Sequence, residues 1–251
     1  MKRKHVVEDE WEDLPTDTEI ALTTLRGSFS PQTLPCIPLS ALAGFTTGNA
    51  SLSLKEELSQ LAREGKAREV VLGDGEECAL MFDDLDVYLK EEKERSPPED
   101  HPILSFYRHL TTACVFAHVS EGDLADVYKD WLRLPSTRGM GGGGQPLSTF
   151  TQGLVTKGLL KRRQLVGGIH EPSYLFCAPN TGHFVASLKN GRAELLAKVC
   201  KAPGKQLERA YLLTLSLKKS SLPIILHLRD CLGRKLLTLC QVSGKTCVRA
   251  V

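Results

Sequence analysis

The sequence predicts an α+β fold of three successive blocks, in each of which helices lead into a two-stranded β-hairpin. Three observations carry this expectation. Apolar residues recur at helical spacing in separate stretches, as in Leu54, Leu58, Leu61 and Ala62. Turn signals between apolar runs occur three times, at Gly73-Asp74-Gly75, Gly167-Gly168 and Ser243-Gly244. A charged, proline-containing stretch, Arg95-Ser96-Pro97-Pro98-Glu99-Asp100, separates the first block from the second as a linker.

The elements follow in order. Residues 1–14 are polar and mixed in charge, and read as a disordered tail. Its Lys2-Arg3-Lys4 is either a nuclear-localisation patch or a solvated end. A helix is expected over 17–26, with Ile20, Ala21, Thr24 and Leu25 on one face, and prolines 31, 35 and 38 then enforce extended chain. Ser53 caps a helix that Gly65 stops. Residues 67–72 and 77–82 form the first hairpin, and a charged helix runs from Asp83 to about Glu94.

In the second block Ile103, Phe106, Leu110 and Ala113 mark one helix. Ser120 begins another, with Leu124, Val127, Tyr128, Trp131 and Leu132 on one face. The loop 134–145 precedes Pro146, which suits the first position of a third helix ended by Gly158. Residues 159–166 and 173–178 form the second hairpin. In the third block, 184–188 and 193–202 read as helical and 206–217 more so. Residues 223–228 are a short apolar strand or a buried helix, and 236–242 with 246–251 form the last hairpin. The domains expected are 15–95, 101–182 and 183–251. Helices followed by a hairpin, three times over, is the plan of three tandem winged helices, mostly helical with short hairpin wings.

Composition bounds the function. At 41% hydrophobic and 6% aromatic the core is mostly aliphatic. None of the eight cysteines forms a C-x-x-C pair, so they read as reduced thiols filling space rather than as a zinc or redox site. No secretory signal opens the chain, and stretches such as 212–217 and 222–228 fall far short of the roughly 18 apolar residues of a membrane span. A soluble protein without cofactor or metal is expected.

The net charge of +2 hides a strong asymmetry. Residues 1–100 carry 11 Lys and Arg against 22 Asp and Glu, whereas residues 157–251 carry 17 against 4. Such separation points to nucleic acid. Lys161, Arg162 and Arg163 lie on the first strand of the second hairpin. Lys189, Arg192, Lys198, Lys201, Lys205 and Arg209 line the next helical region, and Lys218, Lys219 and Arg229 continue the patch. Lys198 and Lys201 oppose an apolar side made by Leu195, Leu196 and Val199. A merely solvated face normally mixes signs, and this one has few acids. The first block differs: Glu56, Glu57 and Glu64 outweigh Lys55 and Arg63 on its best helix, which suits protein contacts better than phosphates.

Other motifs carry no chemistry. Gly139–Gly144 satisfies G-x-G-x-x-G as a string, but no strand precedes it. Gly244-Lys245-Thr246 echoes the end of a Walker loop, yet Leu239 stands where a glycine is required. Neither D-F-G nor H-R-D occurs, so kinase chemistry lacks its residues. Histidines such as His118 and His227 lie in apolar runs and read as core residues. No enzymatic activity is expected.

The run Gly191-Arg192-Ala193-Glu194-Leu195-Leu196 through Val199-Cys200-Lys201-Ala202, then Leu222-Pro223-Ile224-Ile225 and the final hairpin, resembles the serine/threonine-kinase 19 family. The helix and strand of 52–72 and the basic N-terminus extend the similarity, which spans most of 20–251 in order. Despite the family's name, the resemblance implies a tandem of three winged helices without kinase architecture. It implies a nuclear, chromatin-associated binder of double-stranded DNA that bridges factors in transcription-coupled nucleotide excision repair. Those partners would be the stalled RNA polymerase assembly, its ubiquitin-ligase factors and the helicase complex. The family's DNA contacts carry over to Lys189, Lys201, Lys205, Lys218 and Lys219. Where the family has a basic residue before the matched Lys201, this chain has Cys200.

Overall fold

The structure, a computed structural model, describes residues 15–29, 34–45, 50–137, 145–163 and 172–251. The tail 1–14 with Lys2-Arg3-Lys4, the glycine run 139–144 and the turn Gly167-Gly168 lie outside the described residues.

Among the described residues, ten α-helices and nine short strands are arranged in an order that recurs. In the first unit the hydroxyl of Thr16 accepts the Glu19 N–H at 3.2 Å and opens α1 (Asp17–Arg26). There follow β1 (Ile37–Pro38), α2 (Leu39–Ala43), α3 (Ala50–Arg63), β2 (Ala67–Val71) and β3 (Glu77–Met81). Helix α4 (Phe82–Arg95) leads out of it. The second unit is α5 (His101–Ala113), β4 (His118–Ser120), α6 (Glu121–Arg133), α7 (Leu147–Thr156), β5 (Leu160–Arg163) and β6 (Ser173–Phe176). The third is α8 (Gly182–Lys201), β7 (Gln206–Glu208), α9 (Arg209–Thr214), α10 (Ile224–Gly233), β8 (Leu237–Val242) and β9 (Lys245–Ala250). Each unit thus runs helix, strand, helix, helix, strand, strand. Each sheet is antiparallel with its last strand in the middle: β1-β3-β2, β4-β6-β5 and β7-β9-β8.

The expected helix over 17–26 and the three hairpins are present. The last turn places Ser243 and Gly244 at φ 49° and 77°, as a tight two-residue hairpin requires. Several expectations are corrected. The segment after Pro35 is not merely extended, since it contributes β1 and α2. Strands β1, β4 and β7 are only two or three residues long, too short to show alternation. Helix α3 starts at Ala50, three residues before Ser53. The 95–100 linker is a short connection closed by a 3-10 turn at Pro98–Asp100. The pair of helices at 184–188 and 193–202 is one helix, α8, continuous through Gly191. A β-carbon at Gly191 would overlap the His227 ring, so the missing side chain is a packing requirement. Residues 206–217 are not one helix but β7, the six-residue α9 and a loop. Residues 223–228 belong to helix α10.

One continuous buried cluster spans the first two units and the start of α8, while a smaller one around Leu195, Val199, Leu212, Leu228 and Val248 serves the third. Inside the second unit Phe106, Trp131 and Phe150 meet edge to face with centroids 5.3–5.6 Å apart. None of the eight cysteines is in a disulfide, and five of them are buried.

Buried polar contacts help to join the units. Arg68 on β2 is 1% exposed, and burial pushes its pKa down to about 10. It donates to the Thr111 carbonyl at 2.9 Å and the Phe116 carbonyl at 3.2 Å, and stacks 3.5 Å from the Phe176 ring centre. Helix α10 packs against α2 so closely that β-carbons at Gly44 and Gly233 would overlap the Arg229 and Ser40 carbonyls. Beside that crossing the fully buried Asp230 accepts from Ser40 Oγ at 2.5 Å, Arg192 Nε at 2.6 Å and Arg234 Nε at 2.9 Å. Three donors offset the cost of burying its charge.

Candidate nucleic-acid interface

The basic side chains singled out by sequence fall into distinct structural groups. The first follows α8. Glu194, Lys198 and Lys201 are spaced four and three residues apart and share one helix face. Glu194 is not a stray acid on a basic surface. Its two carboxylate oxygens accept the backbone N–H groups of Lys218 at 3.1 Å and Lys219 at 2.9 Å. Those two bonds hold its carboxyl below the usual range. The loop after α9 is thereby tied to α8, and Lys218 and Lys219 are brought beside the Lys198 and Lys201 stripe.

The chain leaves α8 through Pro203-Gly204-Lys205, where Gly204 and Lys205 both have positive φ, 63° and 50°. A left-handed lysine is uncommon, and the Lys205 N–H is held by the Ala202 carbonyl at 2.9 Å. Lys201, Lys205, Lys218 and Lys219 are exposed and Arg209 half-buried. Among the described residues none of the five is in an ion pair. Lys198 is paired with Glu194 at 3.5 Å.

The second group is the edge strand β5. Arg162 and Arg163 are exposed and without ion pairs among the described residues, opposite Tyr174 and Ser173 of β6. Lys161 reaches to the first hairpin, its Nζ donating to the Gly73 carbonyl at 3.3 Å.

Three predicted contacts are engaged inside the molecule. Arg192 is bound to Asp230 and lies 3.6 Å from Glu76, with its side chain 17% exposed. Arg229 sits 3.9 Å over the Phe45 ring and donates to the Gly44 carbonyl at 2.9 Å. Burial lowers its pKa. Lys189 pairs with Asp74 at 2.8 Å, although it stays half exposed. A sum of charges along the chain cannot register such pairing, because the acids come from the first hairpin and from α10.

Sequence reasoning missed Glu194 and Phe116. Glu194 carries no role of its own in the sequence reading, while Phe116 is 63% exposed in a run that reads as apolar. His118 is also exposed rather than in the core, and stacks on Phe116 at 6.2 Å. His227 is fully buried as expected. Its Nε2 lies 2.8 Å from Ser220 Oγ, but its Nδ1 has no partner and Asp230 does not accept from it, so the three form no relay. Among the described residues no cluster of His, Cys, Asp or Glu could hold a metal, and no helix is long and apolar enough to cross a membrane. No protein-family model and no curated protein matches the chain.

Proposed function

We propose that the protein is a non-catalytic, nuclear DNA-binding protein of three tandem winged helices. It would act as a bridging factor in transcription-coupled nucleotide excision repair, as its resemblance to the serine/threonine-kinase 19 family implies. The order helix, strand, helix, helix, strand, strand, with the last strand central, supports the winged-helix reading.

The observation that carries the DNA reading is the set of cations on and beside α8 that are in no ion pair among the described residues, with the loop of Lys218 and Lys219 fastened by Glu194. Cations free of internal partners can release counterions by meeting phosphates. In a winged helix the third helix is the one offered to a groove. Here that helix of the third unit, α10, lies between α2 and α8, with five of its ten residues buried. Duplex binding by this unit therefore uses phosphate contacts from Lys201, Lys205, Arg209, Lys218 and Lys219, with little reading of base edges. The wing residues Arg162 and Arg163 add a second contact. The acidic first unit is left to partner proteins: the polymerase assembly, the ubiquitin-ligase factors and the helicase complex.

Reversing Lys201, Lys205, Lys218 and Lys219 to Glu should weaken duplex binding strongly while leaving the fold and partner binding intact. A second reading, a protein scaffold whose basic face meets acidic partners, predicts the opposite separation.

A further inference from the structure

A cleft lies where the hairpin of the first unit faces the sheet of the second, and we infer that it takes an unpaired nucleobase. The inference rests on the DNA-binding reading above and adds a second kind of contact to it. The cleft has a volume of about 590 Å³, within the range of ligand-sized clefts. Leu58, Val71 and Leu175 supply apolar surface, and Phe116 with His118 lines one wall.

Of the eight phenylalanines, Phe116 alone is exposed. Leaving an aromatic ring of that size in water forfeits the stabilisation its burial would bring. The ring is nonetheless well placed. Its carbonyl is held by the buried guanidinium of Arg68, itself locked between the Thr111 carbonyl and the Phe176 ring. His118 stacks against it with planes 30° apart. An exposed aromatic ring lining the cleft, carried on backbone that a buried arginine holds, is a surface on which a base can stack.

The charge beside the platform selects the ligand. Lys161 and Arg163 both line the cleft from β5. Side chains two apart on a strand point the same way and stand about 6.6 Å apart. Arg163 has no ion pair among the described residues, and Lys161 donates only to the Gly73 carbonyl. The cleft also holds two acids, Glu69 and Glu77. Lys55 bridges them at 3.7 Å and 3.1 Å, so the lining cations outnumber the acids by one, and Lys161 and Arg163 are in no ion pair among the described residues. A planar, apolar ligand attached to a flexible chain of phosphates fits this pairing of an aromatic face with neighbouring cations. Stacking of this kind is tolerant of base identity.

The test uses the full chain and two probes, a flush duplex and the same duplex carrying one bulged thymidine. The wild-type protein should bind the bulged duplex roughly 5- to 150-fold more tightly, the range expected of one stacked base. Phe116→Ala should erase that preference while leaving flush-duplex affinity unchanged, and Phe116→Trp should keep it. Equal affinities of the wild-type protein for the two probes would overturn the inference. So would a preference that survives Phe116→Ala, or an equal loss on both probes. Failure to bind either duplex would instead remove the DNA-binding reading on which it stands.

Discussion

Gly233 presents its bare Cα to the carbonyl oxygen of Ser40, and any β-carbon there would overlap that oxygen. The two helices that meet at this point, α10 and α2, belong to the third and first units. Gly44 makes the reciprocal approach to the Arg229 carbonyl. Gly233→Ala should therefore force the backbones apart at a cost of about 1–3 kcal/mol, and more if the units separate. Thermal unfolding should register a drop of at least roughly 2–4 °C per kcal/mol for a chain of this size. An unchanged melting temperature would mean that the crossing is looser than described.

Asp230 is the hub beside that crossing, with Ser40, Arg192 and Arg234 all donating to it and Arg234 also paired with Glu76. Asp230→Ala removes the buried acceptor while Arg192 remains largely out of water, and should cost on the order of 3–5 kcal/mol. Chemical denaturation checks this. A loss below about 1 kcal/mol would show that water reaches the site.

Burial pushes the pKa of His227 down to about 4, with Arg192 acting in the same sense and Asp230 and Glu194 opposing. In the unfolded chain the imidazole titrates near its ordinary ~6.5. Between these values the unfolded state binds a proton that the folded state does not. Stability from this group is thus fully present above ~6.5 and declines as pH falls toward 4, by roughly 2 kcal/mol from pH 7 to pH 5. His227→Gln should flatten that part of the profile when urea midpoints are compared at the two pH values. An identical slope in the variant would assign the acid sensitivity to other groups.

Glu194 gives the prediction that separates geometry from simple charge counting. Removing an acid from a basic face should strengthen DNA binding if only net charge matters. Because Glu194 ties down the backbone of Lys218 and Lys219, Glu194→Ala should instead weaken it and reduce the salt slope. Tighter binding by the variant would refute the positioning role.

The fold was largely legible where local physics decides it. Ser120 as the start of α6, the helical stripe of α3 and the Ser243-Gly244 turn all act within a few residues. What stayed hidden depends on distant partners. Strand β7 exists because Gln206, Leu207 and Glu208 pair with Arg249, Val248 and Cys247, some forty residues on. The same distinction runs through the candidate site. Among the described residues Lys201 and Lys205 are in no ion pair, in keeping with their sequence context, whereas Arg192 and Arg229 are engaged by residues more than thirty positions away. Phe116 stood unnoticed because only the fold reveals an apolar side chain left in water.

The most direct test of the account is the salt dependence of duplex affinity for the intact chain. If some 6–10 phosphates are engaged, affinity should fall roughly 10³–10⁵-fold between 50 and 200 mM salt. The variant with Lys201, Lys205, Lys218 and Lys219 reversed to Glu should lose most of that slope. Duplex binding that ignores both the salt and the four reversals would contradict the account.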